Sequence, residues 1–230
     1  MRHKFGKLIV ISLGGSIMCP DGVDHRYLRN FKNLIESWLK RGKRFLIVPG
    51  GGRISRLYQE AGAKIAPITD DDKDWIGIHA TRLNAHLLRT IFRKHADPVV
   101  FDERDRIKKL KYPITIGSGW QPGWSTDYVS TALAADFHAS AVINASRAPY
   151  VYDKDVMRFK DAKAFTHLSW KDYRKVIPSK WIPGSHYPVD PIAAKLAQKE
   201  GIAFVAIDGR NIKNFNNTIA GKEFKGTVIE

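Results

Sequence analysis

Short runs of β-branched and other apolar residues, the first two closing on glycines, alternate along the chain with stretches in which apolar residues return every three or four positions. The run at 8–12 leads into Gly14, Gly15 and Ser16 and reads as a buried strand meeting a glycine loop. Leu28, Phe31, Leu34, Ile35, Trp38 and Leu39 share one face of a helix over 27–40, with Gly42 as its stop. A second buried strand at 45–48 again ends in glycines, Gly50, Gly51 and Gly52, and a helix over 54–60 follows and closes near Gly62. The spacing predicts a long helix over 75–95, preceded by acidic residues that suit a helix N-terminus. Strands are expected at 98–101, 114–116, 141–144, 203–207 and 227–229, an alanine-rich helix at 127–139, and a helix at 191–200 that starts on Pro191 and stops at Gly201.

Strands alternating with helices argue for an α/β fold, a mainly parallel central sheet covered on both faces. One domain spans 1–230, with a soft lobe division near 117. The stretch 178–188, rich in Pro, Gly and Ser, reads as a mobile loop. No internal repeat or low-complexity tract breaks the pattern.

Composition narrows the function classes. Hydrophobic residues make up 43% of the 230, enough for a sizeable core. The single cysteine, Cys19, cannot build a disulfide framework and reads as a spacer; it fits a reducing, cytoplasmic setting. No apolar run reaches membrane-spanning length, so a soluble protein is expected. The net charge of +15 is spread along the chain. Without an RNA-binding signature or zinc spacing it argues for a field that attracts anionic nucleotides rather than for a nucleic-acid module. The eight histidines lack metal-ligand spacing, and no protein metal site is expected. His79 and His86, seven apart, read as interface or solvent positions, and His186 lies in the irregular loop.

Chemistry concentrates in three glycine loops at strand ends: Leu13-Gly14-Gly15-Ser16, Pro49-Gly50-Gly51-Gly52-Arg53, and the segment from Gly117 to Asp127. Without Cβ atoms the backbone turns sharply and brings N–H groups to phosphate oxygens, and the helix that follows adds free donors and a positive dipole end. In parallel sheets, ligands gather at these carboxyl ends. None of the loops matches the P-loop or the dinucleotide pattern, so the phosphate site is of another type. Arg53 and Arg56, at the start of the second helix, are candidate cationic stabilisers. Asp127 reads first as a helix cap and second as a residue that orients its loop.

The segments LIVISLGGS, LIVPGGGRISRLYQEAG, DWIGIHATRLNAHLL, GSGWQPGWSTD, HYPVDPIAAKLAQKEGI and IAGKEFKGTVIE resemble, in order and over essentially the whole chain, the motifs of the amino acid kinase superfamily. The pattern is most similar to its uridylate kinases, and Ser12, where many bacterial relatives carry lysine, leans toward the archaeal type. The resemblance implies a three-layer αβα sandwich with a phosphoryl-acceptor lobe followed by a nucleotide lobe. It implies transfer of the ATP γ-phosphoryl group to UMP, with Mg²⁺, in a homo-oligomer, a hexamer by resemblance. Carried over, it assigns Ser12, Leu13, Gly14, Gly15 and Ser16 to the ATP phosphates and the transferring group, with Gly52 and Arg56 on the ATP side. Gly51, Asp74, Trp120, Gln121, Pro122, Gly123, Trp124, Ser125 and Thr126 fall to UMP, and Ser146, Tyr152 and Asp155 to the adenosine. Gly15, Ser16, Arg53 and Arg56 form the expected catalytic set.

Two segments depart from the family pattern. An Asp-Gly turn at the adenosine site is replaced by Pro149-Tyr150, and a proline by Val156. Trp120 and Trp124 stand where small or polar residues are common; packing is expected of Trp124, while Trp120 could pack or stack on a base. The departures leave two further readings: a nucleotide- or oxyanion-binding protein without turnover, or a kinase for another small acceptor such as carbamate, acetylglutamate or isopentenyl phosphate. Ile54-Ser55-Arg56, where isopentenyl phosphate kinases usually carry a histidine, counts against the last.

Overall fold

The computed structural model describes residues 1–154, 156, 159–178 and 187–230. In chain order the elements are β1 (Leu8–Leu13), α1 (Gly15–Met18), α2 (His25–Leu39), β2 (Arg44–Pro49), α3 (Gly52–Ile65), α4 (Asp70–Ile91), β3 (Ile114–Ile116), α5 (Thr126–Asp136), β4 (Ala141–Ser146), β5 (Val151–Tyr152), β6 (Ala164–Phe165), β7 (His167–Leu168), α6 (Trp170–Val176), α7 (Pro191–Glu200), β8 (Ala203–Asp208), α8 (Ile212–Ile219) and β9 (Thr227–Ile229).

Seven strands form one sheet in the order β3-β2-β1-β4-β8-β9-β7, parallel except for the antiparallel pairing of β8 with β9. β5 and β6 make a separate antiparallel pair. The sheet is mainly parallel, as the alternation of elements requires.

Strand alternation assigns each side chain to a layer. On β1, Ile9, Ile11 and Leu13 face one core with Phe31 and Ile35 of α2, Leu88 of α4 and Phe215 of α8. Val10 faces the other, with Val129 and Leu133 of α5, Tyr173 of α6 and Ala194 of α7. Phe31 is fully buried against Phe92 and Phe215, its ring centroid 6.3 and 5.8 Å from theirs.

Three boundaries differ from the sequence expectation for identifiable reasons. The long helix begins earlier, at Asp70, because Thr69 caps it: its Oγ1 accepts from the Asp72 N–H at 3.1 Å while Asp72 accepts from the Thr69 N–H at 2.8 Å. The stretch 98–101 is not a strand; only Phe101 bridges to Gly117, and the Val99 N–H is taken by the Asp97 carboxylate at 3.0 Å. The helix after the third glycine loop ends at Asp136, followed by His138 in a left-handed conformation. Most of the irregular stretch 178–188, with His186, lies outside the described residues, as does Asp155. Among the described residues no helix is long and apolar enough to cross a membrane.

Candidate active site

The parallel strands β1, β2, β3 and β4 end on one edge, at Leu13, Pro49, Ile116 and Ser146. The loops that leave them meet there. The Gly14 N–H donates to the Ala145 carbonyl at 2.8 Å, tying the first loop to β4, and the Gly50 N–H donates to the Leu13 carbonyl at 2.8 Å, tying the second loop to the first. At the crossing the two backbones touch. A Cβ on Gly15 would lie 2.2 Å from the Gly52 nitrogen, and Gly52 itself has φ +70, so only glycine serves at either position. The amide N–H groups of Gly15, Ser16, Gly51 and Gly52, all at this crossing, make no hydrogen bond within the described protein.

Two cavities flank it. One, about 300 Å³, is lined by Gly51, Gly52, Arg56, Asp74, Thr81 and the loop residues Gln121, Trp124, Ser125 and Thr126, among others. The other, about 730 Å³, is lined by Ser16, Arg56, Ser146, Arg147, Tyr150 and Tyr152 together with apolar residues of the surrounding segments. Arg56 lines both.

The smaller cavity is fixed by buried hydrogen bonds. Asp74 Oδ2 accepts from the Gly123 N–H at 2.8 Å, which ties helix α4 to the third loop. Desolvation, against that hydrogen bond, holds the Asp74 carboxyl above its ordinary range, and Asp71 and Asp70 add to the rise. Thr81 Oγ1 accepts from the Gly119 N–H at 2.8 Å. Asn84, buried on the same helix, donates through Nδ2 to the carbonyls of Gly50 and Gly51 at 2.8 and 3.2 Å, and so holds the second loop open for its amides to face outward. The sequence reading missed Asn84. A polar residue on the buried stripe that carries Ile78, Thr81, Ala85 and Leu88 was the available signal.

Beneath the crossing lies a polar knot. Ser12, on the α5 face of β1, donates to Asp127 Oδ1 at 2.8 Å, and Asn144 of β4 donates to the same oxygen at 3.0 Å. Burial and then the neighbouring Asp190 charge push the Asp127 carboxyl up to about 7, against hydrogen bonds from Ser12 and the Asp190 backbone. Asp127 is therefore not the cap of α5. Ser125 is, accepting from the Tyr128 N–H at 3.0 Å while donating to Asp190, whose other oxygen caps α7.

The expected site residues divide accordingly. Gly15, Ser16, Gly51, Gly52, Arg56, Asp74, Gln121, Trp124, Ser125, Thr126, Ser146 and Tyr152 come together around the two cavities. Leu13 turns its side chain into the core, Gly14 has spent its amide on Ala145, and Ser12 has spent its hydroxyl on Asp127, so these three support the site rather than line it. Arg53 pairs with Glu60 at 3.2 Å and lines neither cavity. Pro122 and Gly123 shape the loop behind the lining. Of the two tryptophans, Trp124 packs as expected, against Trp120 and Tyr128, and Trp120 takes the packing role of its two open readings. Trp120 is buried, with its Nε1 donating to the Phe101 carbonyl at 3.3 Å, and packs edge-on against Trp124, which reaches the smaller cavity. Cys19 is buried, its thiol pushed up by desolvation and donated to Asn84, as a structural residue requires.

Residues 7–207 match the model of the Amino acid kinase family. A uridylate kinase of Methanocorpusculum labreanum is 34% identical over 226 residues, covering 96% of this chain and 94% of its own. One from Methanocaldococcus jannaschii is 31% identical, covering 96% and 99%. The crystal structure of a uridylate kinase from Archaeoglobus fulgidus superimposes with a TM-score of 0.83 at 28% identity, covering both chains completely.

Proposed function

The chain belongs to the amino acid kinase family, and on that premise we propose that it transfers the γ-phosphoryl group of ATP to UMP, giving ADP and UDP. It is a nucleoside monophosphate kinase. The observation that carries this reading is the glycine crossing: two cavities of nucleotide size flank four unpaired amides, and Arg56 lines both.

Phosphoryl transfer asks for in-line positioning and neutralisation of charge more than for covalent help. A UMP phosphate oxygen forms a bond to the γ-phosphorus while the bond to the bridging oxygen breaks and its electron pair stays on ADP. The smaller cavity takes UMP, with Asp74 and the third loop fixing the nucleoside and the Gly51 and Gly52 amides its phosphate; Gly52, expected on the ATP side, lines this cavity and not the larger. The larger takes ATP, with the Gly15 and Ser16 amides at its β- and γ-phosphates and Ser146 and Tyr152 beside its adenosine. Arg56 meets the transferring group from between them. The described lining of the larger cavity offers hydroxyls and cations, a donor set suited to phosphate oxygens, so Mg²⁺ belongs here to the ATP substrate, held by phosphates and water. When bound it screens the charge that develops between the two nucleotides.

Self-association is part of the same proposal. Ile54, Tyr58, Trp75, Ile76, His79 and Leu83 form an apolar groove between α3 and α4, with Tyr58 and Leu83 more than half exposed. Such a face in a nucleotide kinase of the cytoplasm fits a second copy of the chain. Light scattering is expected to give a multiple of 26.0 kDa, with a hexamer as the full assembly.

The test of function is a coupled ADP-release assay with Mg²⁺, ATP and each of UMP, CMP and AMP. Strong turnover with UMP alone is expected. No turnover with any acceptor, while UMP or ATP still raises the melting temperature, would replace the enzyme by a nucleotide-binding protein on the same fold.

A further inference from the structure

We infer that Arg147 is a catalytic cation of the donor side, holding the β- and γ-phosphates of ATP together with Arg56. The inference rests on the phosphoryl-transfer reading and adds a residue that the sequence reading did not assign.

The phosphate loop brings no positive charge of its own: 12–16 reads Ser-Leu-Gly-Gly-Ser. Several nearby cations are already neutralised. Arg53 pairs with Glu60, Lys154 with Asp161 at 2.6 Å, and Arg210 with Asp208 through two hydrogen bonds of 2.9 and 2.8 Å. Among the described residues, Arg56 and Arg147 are the two guanidinium groups that line the larger cavity, and neither stands in an ion pair there.

The backbone delivers Arg147 to the phosphates. β4 runs beside β1 with Ala145 opposite Leu13, so Arg147, two residues beyond, leaves the sheet level with the loop that holds Gly15 and Ser16. Its Nε donates to the Ser16 carbonyl at 3.2 Å, and its own carbonyl accepts from Arg210 Nη2 at 3.3 Å. Both ends of the residue are thus held, while the two Nη groups keep their donors for a ligand. A planar fork of this kind matches phosphate oxygens bidentately. Arg56 lines the same cavity as Arg147 and Ser16, so two cations border the space beside the Ser16 amide. The charge left on ADP as the bridging bond breaks falls within this space.

Three variants separate charge from mere pinning of the loop: Arg147→Ala, Arg147→Lys and Arg147→Gln, each assayed against ATP and UMP with melting curves as the folding control. Arg147→Ala is expected to lower kcat/KM for ATP about 30-fold or more, to weaken ADP binding while leaving adenosine binding unchanged, and to leave the KM for UMP within about twofold. Arg147→Lys keeps the charge but not the fork and is expected to recover part of the loss. Arg147→Gln keeps an N–H for the Ser16 carbonyl but not the charge and is expected to behave as the alanine variant. Rescue by Gln and not by Lys, or an alanine variant equal to the parent, would overturn the inference. Absence of turnover in the parent protein would instead overturn the phosphoryl-transfer reading beneath it, and ADP binding would then decide Arg147 alone.

Discussion

The acceptor side and the donor side of this molecule are held by different physics. Around the smaller cavity the groups are locked by buried or part-buried, neutral or singly charged hydrogen bonds: Asn84 on the glycine carbonyls, Thr81 on Gly119, Asp74 on Gly123. Around the larger cavity the polar groups are more exposed, the cations outnumber the acids, and the segment at 146–156 departs from the pattern of the family it resembles. On the function proposed, the acceptor meets loops already fixed in place by internal hydrogen bonds. The donor is recognised largely by charge, which tolerates a changed backbone. Where Pro149-Tyr150 replaces an Asp-Gly turn, Tyr150 packs edge-on to Tyr152 at 6.3 Å, and both line the larger cavity.

The largest effect is expected where the two sides touch. Gly15→Ala places a methyl 2.2 Å from the Gly52 nitrogen and 2.6 Å from Gly50, against backbone that cannot rotate away. The loops must part, and a displacement near 1 Å costs on the order of 10²-fold in rate. Loss of kcat with both substrates, measured by the same ADP-release assay, is the expected result; activity close to the parent would mean the crossing is looser than described.

Asp74→Asn tests whether the sides are separable. It weakens a charge-assisted hydrogen bond worth about 1.5–3 kcal/mol, so the KM for UMP should rise on the order of 10- to 100-fold. The KM for ATP should stay within about twofold. Equal movement of both would collapse the distinction drawn above.

The smallest effect concerns stability. The Asp127 carboxyl is held at about 7, above its unfolded range, so between roughly pH 4 and pH 7 the folded chain binds more protons than the unfolded one. Stability from this group is present at low pH and lost as pH rises through 7. Asp127→Asn should flatten the melting-temperature profile from pH 5 to 8, read by thermal denaturation, while the parent declines toward the alkaline end.

Much of this was legible in the residues because the signals were local. Strands β1, β2 and β4 are short apolar runs, and glycines end the first two, so the edge where the glycine loops meet could be placed from spacing alone. What depended on distant partners could not. Asp127 resembles a cap until Ser12 and Asn144, 115 and 17 residues away, are seen to hold it. Arg53 and Arg56 are equivalent in sequence; Glu60, about two helical turns beyond Arg53, pairs with the first and leaves it off both cavities. The antiparallel turn of β9 against β8, and the part of Arg147, follow from topology that no window of the chain displays.

Arg56 borders both cavities, so one side chain belongs to the walls of both. On the function proposed, the pair of sites amounts to one stretch with a nucleoside pocket on either side of Arg56. A single molecule with adenosine and uridine joined by a polyphosphate chain could lie along its whole length. Each end would then face the other's pocket at the millimolar effective concentration of a short tether, and the joined ligand would hold far more tightly than either half.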